Sequence, residues 1–274
     1  MRDKMRNFNI YPKTFLILFF VLTFISPLIA CSQEKNDEVI KLGNWDQVKL
    51  QELIKEKPDN TEEQINFLSK QFLGTPYVAG TLTGDINTPE VFTVNLGGMD
   101  CFTYIDYVEA MRLSTNLDDF NSNLKDIRYQ DGNVTFENRN HFFSDWPVQN
   151  SDNVKDVTYE IGGNKAIEVE KNLNLKSDGS KFLPGIPVVE RKFYYIPSSE
   201  IDNGIIGKLH TGDYVGIYTD IEGLDVTHTG IVIKKDDQVF LRHASSRQKN
   251  NKVVDEDLIE YIQNTPGMVI FRPQ

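Results

Sequence analysis

Apolar residues along this chain fall into three regimes. A continuous run from Phe15 to Leu28 comes first, behind the cations Arg2, Lys4, Arg6 and Lys13. Helical spacing follows: Leu50, Leu53 and Ile54 ahead of Pro58, then Ile65, Leu68 and Phe72 ahead of Gly74-Thr75-Pro76. Asn60-Thr61 followed by Glu63 and Gln64 is a capping-box pattern that opens the second of these helices. Residues 75–99 are rich in Gly, Thr and Pro and read as an irregular loop. From Cys101 to Leu113 the period is helical again, with Tyr104, Ile105, Val108 and Met111 on one side. Residues 114–200 are mixed, broken by Gly, Pro and Asn without a repeat, and Asn172 to Pro187 reads as a surface excursion. After Gly212 the period shortens. Asp213–Thr219, Val226–Lys234, Gln238–His243 and Met268–Arg272 are short, β-rich and bounded by turns. Helices ahead of an antiparallel sheet predict an α+β layered domain.

The first apolar run is shorter than the roughly 20 residues of a membrane span. It ends at Leu28-Ile29-Ala30-Cys31, where small residues precede a cysteine. A basic start, an apolar stretch and this ending make residues 1–30 a secretory signal with the look of a bacterial lipobox. Cleavage and lipidation at Cys31 would hold the mature chain to a membrane of the bacterial envelope, facing the periplasm or the cell exterior, without spanning it. An uncleaved N-terminal anchor is the alternative and places the domain in the same compartment. Ser32 to Asp46 is polar and aperiodic, so residues 31–46 read as lipidated cysteine and tether, leaving 47–274 as one domain. A domain of that length buries a core without disulfide staples.

Charge narrows the partners. The whole chain carries −11, and its first 30 residues hold four cations and one anion, so the remainder is about −14. Such a surface argues against nucleic acid and against direct contact with anionic lipid headgroups.

Two cysteines are present, and the lipobox accounts for Cys31. Cys101 is then an unpaired thiol in an exported protein, where cysteines are usually paired or absent. A buried, inert cysteine is the plainer reading. Its neighbours favour a reactive one. Gly97-Gly98-Met99-Asp100-Cys101 runs straight into a helix, and a thiol at a helix start faces unpaired N–H groups and the positive end of the dipole, which favour the thiolate. The two glycines are expected to let the backbone approach a substrate.

His228 and His243 lie in consecutive strand segments joined near Lys235-Asp236-Asp237. A two-residue loop puts them on one sheet face, opposite or one diagonal step apart; a three-residue loop puts them on opposite faces. On one face, one histidine can orient the other, which deprotonates the cysteine. Clustered histidines also suggest a metal, but no His-Glu-x-x-His or paired-cysteine spacing supports one, so neither metal nor organic cofactor is expected.

The order Gly74-Thr75-Pro76-Tyr77, Asp100-Cys101, Gly212-Asp213, His228-Thr229-Gly230-Ile231 and His243-Ala244-Ser245 resembles the NlpC-like, papain-related cell-wall peptidases. Further residues resemble one branch, the N-acetylmuramoyl-L-alanine amidase-like family, first described as a domain of unknown function. These are Phe102-Thr103 after the cysteine, Glu109, Ile127-Arg128-Tyr129, Asn138-Arg139-Asn140-His141, Trp146 and Gly223-Leu224-Asp225-Val226-Thr227. The likeness runs from about Ile65 to Arg272. It implies a papain-like fold with the cysteine helix packed on the histidine-bearing sheet. It also implies Cys101 as nucleophile, His228 as base and His243 as orienting residue, with cleavage between N-acetylmuramic acid and L-alanine in muropeptide fragments, anhydro forms among them. Tyr77, Asp100, Asn140, His141 and Trp146 become candidate substrate-binding residues; a core role for Trp146 and a turn-capping role for His141 are the alternatives. Insertions at about 78–99 and 141–211 would wall the site. An endopeptidase of the same fold cutting between γ-D-glutamate and diaminopimelate, an acyltransferase of that fold, and a non-catalytic peptidoglycan-binding lipoprotein are the competing functions.

Overall fold

Polar side chains set where the four long helices begin. The computed structural model describes residues 38–274, so the signal segment 1–30, Cys31 and the start of the tether lie outside the described residues. Asp46 accepts from the Lys49 N–H to open α1 (Gln47–Glu56), and Asn60 accepts from Glu62 and Glu63 to open α2 (Thr61–Lys70). Asp100 and Thr103 cap each other reciprocally at α3 (Cys101–Leu113), and Asn116 caps α4 (Leu117–Arg128).

Helices α1, α2 and α4 each bury one stripe, for example Leu50, Leu53 and Ile54 on α1. Helix α3 differs, because Thr103 through Arg112 are buried on every face. Its charged residues are accordingly paired. Asp106 accepts from Arg128 at 2.9 Å, and Glu109 accepts from Arg112 at 2.8 Å and from the Tyr214 hydroxyl at 2.7 Å. Removing one partner would strand a buried charge, a loss of roughly 3–5 kcal/mol. Glu109 and Arg128 therefore hold the architecture around the central helix.

Strand β1 (Val39–Lys41) lies parallel to β4 (Thr93–Asn95), and β2 (Thr83–Asp85) pairs with β3 (Thr88–Val91). These pairs correct two expectations. Residues 75–99 carry three short strands in place of an irregular loop, and the tether ends before Val39. Trp45, expected in the tether, is buried with its ring stacked on Phe72 at 4.8 Å. Strands of three or four residues are too short to show a period of two, so only their partners reveal them.

The main sheet is antiparallel throughout. Its strands are β5 (Val154–Asp156), β6 (Ile167–Leu173), β7 (Val189–Pro197), β8 (Tyr214–Tyr218), β9 (Val226–Lys235), β10 (Gln238–Ser245), β11 (Lys252–Asp257) and β12 (Gly267–Pro273). Their order is β11-β10-β9-β8-β12-β7-β6, with β5 also on β12. Alternation sends Tyr214, Ile231, Ile233 and Phe271 into one core with α1 to α4. It sends Val215, Ile217, Val232 and Ile270 into a second core on the opposite face. The short helices α6 (Thr158–Gly162), α7 (Asn203–Lys208) and α8 (Leu258–Ile262) cover that second core, while α5 (Trp146–Gln149) sits with the first. Among the described residues no helix is long and apolar enough to cross a membrane.

Candidate active site

The register of one hairpin decides how the two histidines meet. Lys235 pairs with Gln238 across a two-residue loop in which Asp236 has a φ of 54°, and pairing continues to Ile231 opposite Arg242. Carried forward, this register sets His228 one diagonal step from His243 on the same face. His228 Nε2 and His243 Nδ1 lie 2.6 Å apart, with the rings nearly perpendicular. Gly230, the residue directly across from His243 in that register, is required there. A Cβ on it would sit 2.6 Å from Leu241 Cδ1 and 3.0 Å from His243 Cβ.

Cys101 is the first residue of α3, and β9 holds it in place: the Thr229 hydroxyl donates to the Cys101 carbonyl at 2.8 Å. Cys101, His228 and Thr229 line one cleft of about 160 Å³, with His141, Phe142, Phe143 and Leu224 on its other walls. On β11, Glu256 completes the row. Its Oε2 lies 2.9 Å from His243 Nε2. Nothing in Val253-Val254-Asp255-Glu256 marks it in the sequence as special, and only the β10–β11 register brings it to His243.

Electrostatics contradict the expected thiolate. Burial, then the Asp100 carboxylate, push the Cys101 thiol from 9.0 up to about 11, against hydrogen bonding from Thr229. The helix start contributes less than expected because Asp100 already occupies it: one carboxylate oxygen accepts from the Phe102 and Thr103 N–H groups at 3.1 and 2.8 Å. Burial, then the facing His243, lower His228 to about 3. Both shifts favour the neutral form, thiol on Cys101 and imidazole on His228.

The remaining candidates divide. His141 lines the cleft; its Nε2 donates to the Phe136 carbonyl at 2.8 Å, and burial lowers it to about 4, so it stays neutral. Tyr77 is half-buried near Cys101 but does not line the cleft; burial, followed by Cys101 and Asp100 nearby, raises its phenol. Asp100 serves the helix cap. Asn140 and Trp146 correct the expectation. Asn140 is buried and donates to the Ile127 carbonyl at 2.9 Å, while Trp146 is wholly buried against Tyr214, Phe143 and Phe102. Neither lines the cleft. The glycines before Cys101 also serve packing: a Cβ on Gly98 would meet Val78 at 2.6 Å, and one on Gly97 would meet the Gly43 Cα at 2.9 Å. Among the described residues no group of three His, Cys, Asp or Glu side chains is placed to hold a metal ion.

A family model described as N-acetylmuramoyl-L-alanine amidase-like matches residues 67–268. A crystal structure of an N-acetylmuramoyl-L-alanine amidase from Bacteroides uniformis is similar with a TM-score of 0.66 and 25% identity, over 78% of this chain and 99% of that one. A Legionella pneumophila protein of the DUF1460 family gives 0.69 and 25%, over 83% and 94%. A protein from Bacteroides fragilis described as a putative xylanase gives 0.61 and 28%, over 74% and 98%. No curated protein matches the chain. The fold that carries the paired histidines and the helix-start cysteine is thus that of the matched family, and the chain belongs to the N-acetylmuramoyl-L-alanine amidase-like family.

Proposed function

We propose that this protein is a cell-wall hydrolase that cleaves the amide between N-acetylmuramic acid and L-alanine in soluble peptidoglycan fragments, anhydro forms among them. The observation that carries the reading is the convergence of Cys101, at a helix start, with His228 at one cleft, where His243 backs His228 at 2.6 Å. Cys101 is the nucleophile, His228 the general base and His243 the residue that orients it, in a papain-like arrangement of helix against sheet. Anchorage through a lipidated Cys31 to an envelope membrane is part of the same proposal.

The chemistry follows from a neutral resting pair. As the Cys101 sulfur bonds to the substrate carbonyl carbon, its proton passes to His228, so charge separates only when a carbonyl is present to receive it. The developing oxyanion meets the Cys101 N–H, because the Asp100 cap takes those of Phe102 and Thr103. The C–N bond then breaks with the proton returned from His228 to the leaving amine. A water molecule, deprotonated by His228, adds to the thioester carbonyl, and the sulfur departs to recover that proton. His141 and Tyr77 are the residues proposed to contact substrate. The phenyl groups of Phe142 and Phe143 exclude water from the same walls. A glycoside hydrolase would need two carboxyl groups flanking the bond. The cleft has one, Asp225, whose two oxygens accept from the Ser144 and Val226 N–H groups, both at 2.7 Å.

Mass spectrometry of a disaccharide–tetrapeptide incubated with the purified protein tests the proposal. Release of intact tetrapeptide and free disaccharide, lost in Cys101→Ala, is expected. Cutting after D-glutamate would replace the bond assignment with the endopeptidase one, and turnover by Cys101→Ala would refute the mechanism.

A further inference from the structure

The hydrogen-bonded row His228–His243 does not end at His243, and its far end determines where the protons lie. Glu256 Oε2 is 2.9 Å from His243 Nε2. Its other oxygen faces Lys249 at 3.0 Å and Arg247 at 3.3 Å, both from the turn between β10 and β11. Burial works against ionisation of Glu256, yet Lys249, His243 and Arg247 hold its carboxyl below the usual range. An ionised carboxylate only accepts hydrogen bonds. His243 Nε2 must therefore carry a proton, and in a neutral imidazole that leaves Nδ1 as a bare lone pair. The 2.6 Å contact then requires the proton on His228 Nε2, leaving His228 Nδ1 bare in turn. The reversed arrangement would set a lone pair of His243 against a carboxylate and could be relieved only by protonating Glu256, which two cations oppose.

Resting on the catalytic reading above, we propose that Glu256 is a positioning residue. Through His243 it fixes both imidazoles in the Nε2–H tautomer and makes His228 Nδ1 the atom that takes the Cys101 proton. Around the row, Tyr261 packs its ring at 6.0 Å from His228 and 5.1 Å from His243, and Arg247 lies 4.1 Å over that ring. Arg247, Lys249, Asp255, Tyr261 and Cys101 are thus the other charged or titratable groups that face the row. When His228 becomes cationic its Nε2–H already points along a chain that ends in a negative charge. Removing that charge disfavours the imidazolium, so the acid limb of the pH–rate profile moves to lower pH.

Two measurements test this. Nitrogen-15 NMR of the histidines in the native protein, which needs no variant and no substrate, is expected to show both His228 and His243 protonated at Nε2. A proton on His228 Nδ1 overturns the proposal. In Glu256→Gln the side-chain oxygen can still accept from His243, so the tautomers persist while the charge is lost. A fall in kcat of about 10- to 100-fold with KM within about twofold is expected, together with the downward shift of the acid limb. An unmoved pH profile, or a change confined to KM or thermal stability, overturns it. If Cys101→Ala proves active, the catalytic reading fails, while the NMR result still decides the tautomer chain.

Discussion

The neutral state of Cys101 is the most testable departure from a helix-start cysteine. Activated thiols titrate well below free cysteine. Here burial and the Asp100 carboxylate raise the thiol from 9.0 to about 11. Each unit is tenfold in thiolate population, so the two units make the thiolate about 100-fold scarcer at neutral pH than for the same thiol in water. Alkylation by iodoacetamide, followed by intact mass from pH 6 to 11, reads this directly. The inflection, which is independent of access to the cleft, is expected above pH 10. Asp100→Asn separates the two causes. Asparagine caps a helix as well as aspartate, so the fold and the Phe102 and Thr103 bonds are kept. Only the charge goes, and the inflection should fall by up to about one unit, with alkylation at pH 8 rising up to about tenfold. An inflection below pH 8 in the native protein would refute the reasoning. It would mean that a thiolate–imidazolium pair is already present at rest and outweighs desolvation.

Three further outcomes follow from the same geometry. Trp146→Phe should lower thermal stability while leaving KM unchanged, since the indole is wholly buried; a large KM effect in steady-state kinetics would return it to the substrate wall. Arg139→Ala leaves Glu90, 4% exposed and otherwise bonded to the Tyr129 hydroxyl at 2.7 Å, without its cation. A loss of about 3 kcal/mol by denaturant unfolding is expected, and a loss under about 1 would show that Glu90 needs no charge partner. Lys171 donates to the carbonyls of Thr219, Ile221 and Leu224, fixing the loop that brings Leu224 to the cleft. Lys171→Met should raise KM several-fold with kcat nearly unchanged, and unaltered KM would exclude a role for that loop in binding.

Much of the frame is legible in the order of residues alone, and for local reasons. Capping residues and apolar periodicity are properties of contiguous sequence, so Asn60 and the stripes of α1 and α2 announce their helices. The turn near Lys235-Asp236-Asp237 is likewise local, but its length is not: because a strand has a period of two, only the observed Lys235–Gln238 pairing decides that His228 and His243 share a face. The family resemblance spans nearly the residues that the family model matches. What stays hidden depends on contacts between distant segments. Strands β1 to β4 are too short to have a pattern and exist through their pairing. Trp146 and Asn140 sit in a motif that does not say which members face the cleft and which face the core. Glu256 becomes visible only when β11 lies beside β10. The ionisation of Cys101 reverses its expectation because a helix start favours the thiolate locally, while desolvation is set by everything packed around it. Contiguous sequence thus specifies the long helices and the two strands of the histidine hairpin, and it marks Cys101, His228 and His243 as candidates. Tertiary packing sets their solvent exposure and their third partners, since burial and electrostatics sum over neighbours that lie far away along the chain.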